Sequence, residues 1–218
     1  MRAARENRRR RIAAAAAIAL VALALSGCVA QTQQPAATSS ATSARTAGVV
    51  EYGSGAKTVD LYVDPLCPYC RHFEQLSGPM LLSEAKAGRL TLRVHPMAIL
   101  DRLSNGTRYS TRAAAAVLTV GASHPDSWPA FLAKLFENQP EENSVGLTDE
   151  QLEALAADAG TPVTLTGGAS PMETEVASAT ETALQLGVSH VPTVMVDGKV
   201  FPGSSQQTAE FEKFYRSN

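Results

Sequence analysis

Cys67 and Cys70, separated only by Pro68 and Tyr69, are the residues of this 218-residue chain best placed by type and spacing to do chemistry. They follow an apolar run, Val59-Asp60-Leu61-Tyr62-Val63, and the turn residues Asp64-Pro65-Leu66. With a helix starting at Cys67, thiols at i and i+3 lie one turn apart, close enough to join as a disulfide. A helix N-terminus presents unpaired N–H groups and partial positive charge, which favour thiolate over thiol. Such a bond would close a very small loop and constrain the unfolded chain little. The spacing therefore predicts a redox centre that cycles between dithiol and disulfide, not a structural brace.

The third cysteine, Cys28, has a separate setting. Residues 1–11 contain six arginines, an apolar stretch runs from Ile12 to Leu25, and Leu25-Ser26-Gly27-Cys28 follows. A charged start, a short apolar run and small residues before a cut are the parts of a secretory signal. The apolar run is shorter than the roughly 20 residues needed to span a bilayer. Leu-Ser-Gly-Cys resembles the bacterial lipoprotein signal. That resemblance implies that residues 1–27 are removed and that Cys28 becomes a lipidated first residue, with palmitate as an acyl group. An ordinary signal peptide with an incidental cysteine is the plainer alternative, and the arginine run also permits twin-arginine export. With Cys28 lipidated, Cys67 and Cys70 are the only thiols left.

Without residues 1–27 the chain has 191 residues, enough for one domain with a substantial core. The leader takes six Arg and one Glu with it, which leaves 13 basic against 20 acidic residues, a balance of −7. An acidic surface with no basic stripe excludes nucleic acid as an expected partner. Val29 to Ala47 is Gln, Ala, Thr and Ser with one Pro, a composition that reads as a flexible tether. Residues 28–47 thus form a lipidated cysteine and linker, and 48–218 the folded domain.

The domain reads as strands near Val49–Tyr52 and Thr58–Val63, then a helix from about Cys67 to Ala87 and a strand over Leu90–Met97. A mostly helical block follows over residues 99–186. Within it, Thr111–Val120 is Ala-rich, and Ser127–Asn138 spaces Trp128, Phe131, Leu132, Leu135 and Phe136 helically. Thr148-Asp149-Glu150-Gln151 is a capping box, and Ser170-Pro171 opens another helix. After Gly187, Pro192–Val196 and Lys199–Phe201 form a hairpin turned at Asp197-Gly198, and a last helix spans about Thr208–Arg216.

That order resembles an α/β thioredoxin-like fold with an inserted α-helical domain, more narrowly the DsbA-like family of exported thiol–disulfide oxidoreductases. The motifs that carry the resemblance are Asp64-Pro65-Leu66-Cys67-Pro68-Tyr69-Cys70 with Phe73-Glu74, and Gly187-Val188-Ser189-His190-Val191-Pro192-Thr193 leading to Val196-Asp197-Gly198-Lys199. The resemblance implies that Cys67 is the exposed nucleophilic thiolate and Cys70 the buried resolving thiol. It also implies that Pro192 is a cis-proline facing the pair. Val191 would then offer its backbone to a substrate polypeptide, with Thr193 completing the substrate-binding loop. Tyr69 is expected to add contact surface beside the pair.

One departure stands out: the buried acid found in many such enzymes six residues before the first cysteine is here Leu61. Asp60 and Asp64 flank it, but alternation along the strand points Asp60 to the opposite face. Proton transfer at Cys70 then falls to water or another group. His190, two residues before Pro192, is a candidate modulator of the thiolate; a plain loop histidine is the alternative. His72 belongs on a solvated helix face, since residues two apart do not share a face. His95 and His124 carry no signal.

The expected function is dithiol–disulfide exchange on exported cysteine-containing polypeptides, chiefly as an oxidase, from the extracytoplasmic face of the cell membrane. A membrane redox partner would restore the disulfide, the lipid would provide the membrane contact, and neither a cofactor nor a bound metal is called for. A monomer is expected, because the dimerisation segment typical of isomerases of this fold is missing. A reductase or isomerase, a metal-binding module built on Cys67, Cys70 and a histidine, and an adaptor with a vestigial pair are the rivals.

Overall fold

The computed structural model describes residues 46–218; the expected leader 1–27, Cys28 and the tether up to residue 45 lie outside the described residues. The described chain runs β1 (Val50–Tyr52), β2 (Lys57–Val63), α1 (Pro68–Lys86), β3 (Leu90–Pro96), a 3₁₀ turn (Asp101–Leu103), α2 (Tyr109–Ser123), α3 (Trp128–Glu137), α4 (Asp149–Asp158), α5 (Pro171–Gln185), β4 (Thr193–Val196), β5 (Lys199–Val200) and α6 (Thr208–Ser217). The strands form one sheet in the order β1-β3-β2-β4-β5. Only the β2–β3 pair is parallel, joined through α1, and every other neighbour is antiparallel.

Alternation along β2 decides what faces the core. Val59, Leu61 and Val63 are buried on one face, where Val59 lies opposite Leu92 and Val196, and Leu61 opposite Val94 and Val194. Asp60 and Tyr62 point to the other face, as the alternation required. There Asp60 accepts hydrogen bonds from Arg93 and His95, and Tyr62 stacks on the His95 ring. Asp60 is thereby withdrawn from the thiols.

The helical segment shares one contiguous apolar core with the sheet, from Val50 and Leu92 through Trp128, Phe131 and Leu152. Ala113, Ala114, Ala115 and Ala116 of α2 are buried, small enough to let neighbouring helices approach. Gly121 lets α2 close on strand β1, because a Cβ there would overlap a methyl of Val50. Trp128 fixes α3 to β1, its Nε1 donating to the Glu51 carbonyl and its ring edge-on to Tyr52. The Thr148 capping box forms with Gln151, and Ser170 Oγ caps α5 at Glu173. α5 crosses the second sheet face, where Ala183 and Val188 pack with Met97. The β4–β5 turn places both Asp197 and Gly198 at positive φ, the requirement of a tight hairpin turn.

A candidate dithiol active site

The turn after β2 aims the pair. Pro65 sits second in the four-residue turn Asp64–Cys67, which closes with Cys67 N–H donating to the Asp64 carbonyl at 3.0 Å. Cys67 is the extended N-cap of α1, and Pro68 occupies the first turn, where its missing N–H costs nothing. Cys70, one turn in, donates its N–H to the Cys67 carbonyl at 3.0 Å. Both cysteines are free thiols in this structure, so the geometry is that of the dithiol.

The two thiols differ in environment. Cys70 is fully buried, and burial, Cys67 and the Asp64 charge push its thiol well above the ordinary range despite the Asp64 N–H. Cys67 is held below its ordinary value: the Cys70 side chain bonds it, and the N–H groups of Cys70 and Tyr69 add to this. Those groups outweigh burial and the charge of Asp64. One thiol is thus prepared as the thiolate and the other as the proton-bearing partner.

Opposite the pair, the Val191–Pro192 peptide bond is cis. The loop is closed by Thr193 Oγ1, which donates to the His190 carbonyl at 2.7 Å and approaches His190 Nδ1 at 3.4 Å. Gly187, at φ +92, ends α5, and the N–H of Val188 returns to Ala183 O. Cys67 Sγ donates to the Val191 carbonyl at 3.5 Å. That contact changes one expectation: Cys67 is only 4% exposed, because the cis-proline loop lies over it. A substrate must displace the Val191 carbonyl to reach the sulfur.

The structure thus gathers Cys67, Cys70, Val191, Pro192 and Thr193 at one place. Tyr69 stands beside them, 60% exposed. It lines a polar hollow with Arg71, His72, Gln75, Glu137 and Gln206. His190 is exposed, and its ring nitrogen turns toward Thr193; the groups acting on Cys67 are Cys70, Tyr69 and Asp64. Among the described residues no three His, Cys, Asp or Glu side chains converge as a metal site, and no helix is long and apolar enough to cross a membrane.

Two contributors were not singled out from sequence. Asp64, read as a turn residue of the active-site motif and as an acid flanking Leu61 but given no role, turns its carboxylate inward and is fully buried. Gln139, just after α3, donates its Nε2 to the carbonyls of Pro65 at 2.8 Å and Cys67 at 3.0 Å. The Asp-Pro turn was the available signal for the first. No local signal marks the second, 72 residues from its partner.

A family model described as thioredoxin matches residues 53–214. The serine/threonine-protein kinase PknE of Mycobacterium tuberculosis is 31% identical over 147 residues, covering 63% of this chain. Those residues are 26% of the kinase, so the chain spans about a quarter of the length of the curated relatives it matches. Reduced DsbA from M. tuberculosis superposes with TM-score 0.61 at 26% identity, over 78% of this chain and 91% of that one. The reduced disulfide bond oxidoreductase DsbG of the same organism gives 0.61 at 27%, over 78% and 86%. Oxidised BdbD from Bacillus subtilis, at 21% identity, TM-score 0.62 and coverage of 78% and 92%, shares the fold. With its paired thiols at a helix start facing a cis-proline, the chain belongs to the thioredoxin family, alongside solved thiol–disulfide oxidoreductases.

Proposed function

We propose that the chain is a protein thiol–disulfide oxidoreductase that runs in the oxidising direction on exported proteins while tethered to the membrane through Cys28. The observation that carries the direction is the asymmetry of the thiols: Cys67 is favoured as thiolate and Cys70 as thiol. Stabilising the reduced form makes the disulfide an oxidant. A substrate thiolate attacks Sγ of Cys67, forms the mixed disulfide and breaks the Cys67–Cys70 bond. The electron pair goes to the Cys70 sulfur, which takes up a proton. A second substrate thiolate then attacks the substrate sulfur of the mixed disulfide. It releases Cys67 as thiolate and leaves the substrate oxidised by two electrons. The freed Val191 backbone supports strand-like pairing with the substrate. A membrane redox partner reoxidises the pair. The leader residues and Leu25-Ser26-Gly27-Cys28 support export and anchoring.

The test is trapping in cells with Cys70→Ala: the Cys67 thiolate attacks a disulfide of an exported polypeptide, one substrate sulfur leaves as thiolate, and no Cys70 thiol remains to resolve the mixed disulfide. Mixed disulfides through Cys67 with exported polypeptides should accumulate and sediment with membranes. No adducts from an accessible Cys67 would overturn the exchange reading, and adducts found wholly in the soluble fraction would overturn the anchor.

A further inference from the structure

Leu61 leaves the floor beneath the thiols apolar, yet an acid does reach the pair from the strand end. Asp64 is wholly buried and tied down by four hydrogen bonds. Its N–H donates to Cys70 Sγ at 3.5 Å, and its carbonyl accepts from Cys67 N–H at 3.0 Å. Its Oδ1 accepts from Leu66 N–H and its Oδ2 from Leu100 N–H, both at 2.9 Å. Leu100 caps the 3₁₀ turn beyond β3, so the one carboxylate joins the active-site turn to the loop after the neighbouring strand. Ser110 lies near enough to act on the carboxyl but makes no hydrogen bond of good geometry. The buried Tyr109 hydroxyl feels the Asp64 charge, and the Asp101 carboxylate opposes Asp64 from the 3₁₀ turn.

We propose that Asp64 is a positioning residue for the disulfide exchange, holding the Cys70 sulfur through its N–H while its buried carboxylate, in the turn that closes on Cys67, restrains the oxidising strength of the pair. This rests on the oxidoreductase reading above. When the Cys67–Cys70 bond breaks, the electron pair left on Cys70 meets the Asp64 N–H, a donor already aimed at that sulfur. The carboxylate acts in the other direction. Its charge raises both thiols and so disfavours the reduced form, which carries a thiolate at Cys67. The Cys70 side chain and the helix-start N–H groups prevail at Cys67, and Asp64 sets how far.

The carboxyl itself is pushed up to about 6 by burial, against the Leu66 and Leu100 N–H groups and Ser110 and with help from Asp101. Below that pH, Cys67 ionises beside a neutral acid; above it, beside an anion. The constant for equilibration of the pair with glutathione should therefore bend in its dependence on pH near 6, the reduced form losing ground once Asp64 is ionised. The experiment equilibrates the full-length protein with glutathione redox mixtures between pH 5 and pH 7.5 and reads the Cys67–Cys70 bond by peptide mass spectrometry, which separates it from Cys28. In Asp64→Asn the bend should vanish: the variant should match wild type at pH 5 and favour the reduced pair a further three- to tenfold, roughly, at pH 7.5. His190→Asn, on the loop over Cys67, and Glu74→Gln, whose buried carboxyl one turn past Cys70 is pushed up to about 7, should both keep the bend.

A wild-type constant without that bend overturns the proposal whether or not Asp64→Asn folds. So does a bend that His190→Asn or Glu74→Gln removes. A pair that never exchanges removes the oxidoreductase reading and this inference with it, whereas exchange without the bend removes only the role of Asp64.

Discussion

Glu74, one turn past Cys70 on α1, carries a cost that depends on its neighbour. Its carboxylate lies over Gly78, where a Cβ would stand 2.6 Å from Oε1 and the Glu74 side chain would have to shift. Burial pushes the carboxyl up to about 7 from 4.5. Between those values the native state holds a proton that the unfolded chain has released, so stability falls as pH rises through that window. The loss saturates above pH 7 at the order of 2 kcal/mol. Glu74→Gln should stabilise the reduced protein by about that amount at pH 8 and change little at pH 4.5, as read by urea unfolding. Equal effects at the two pH values would contradict the burial account. Asp64 adds a similar loss between about 3.8 and 6. Asp60 works the other way: burial resists, but His95 and Arg93 together lower its carboxyl, so its contribution is lost as pH falls.

Among the elements, the turn before α1 is shared property of the sheet and the helical insertion. Gln139 supplies the insertion's part, with one amide serving two carbonyls of the turn. Gln139→Ala leaves the part-buried Pro65 carbonyl without its donor and should cost about 1–2 kcal/mol of stability with helix content unchanged. Unaltered stability would show that water replaces the amide at no cost. This contact also marks where sequence reading stopped. Strands, caps and the Cys67–Cys70 and Val191–Pro192 motifs depend on near neighbours and were legible from spacing and residue type. The ends of α1 and α3 moved by only a residue from expectation, because their caps are local. The inward turn of Asp64 and the reach of Gln139 depend on what the fold brings alongside, and no local pattern encodes that. The low exposure of Cys67 has the same origin, since a loop 124 residues away covers it.

For the whole molecule, an acidic domain presents a single thiol pair at the end of a sheet, under a loop contributed by the chain after the insertion. The Cys70 side chain and the helix-start N–H groups lower Cys67, burial raises Cys70, and the Asp64 charge opposes the thiolate; in the proposed reading the balance of these sets the direction of electron flow. A thermodynamic cycle ties that direction to folding: an oxidising pair is one whose dithiol form is the more stable protein. The most direct test is the reduction potential of the Cys67–Cys70 pair, measured by equilibration with glutathione redox mixtures. The account predicts a potential nearer to about −120 mV, the value of a strong protein oxidant, than to thioredoxin's value of about −270 mV. It also predicts a reduced form that resists denaturant better than the oxidised one. A potential at or below about −270 mV, with the oxidised form the more stable, would contradict the oxidase reading and make the protein a reductase.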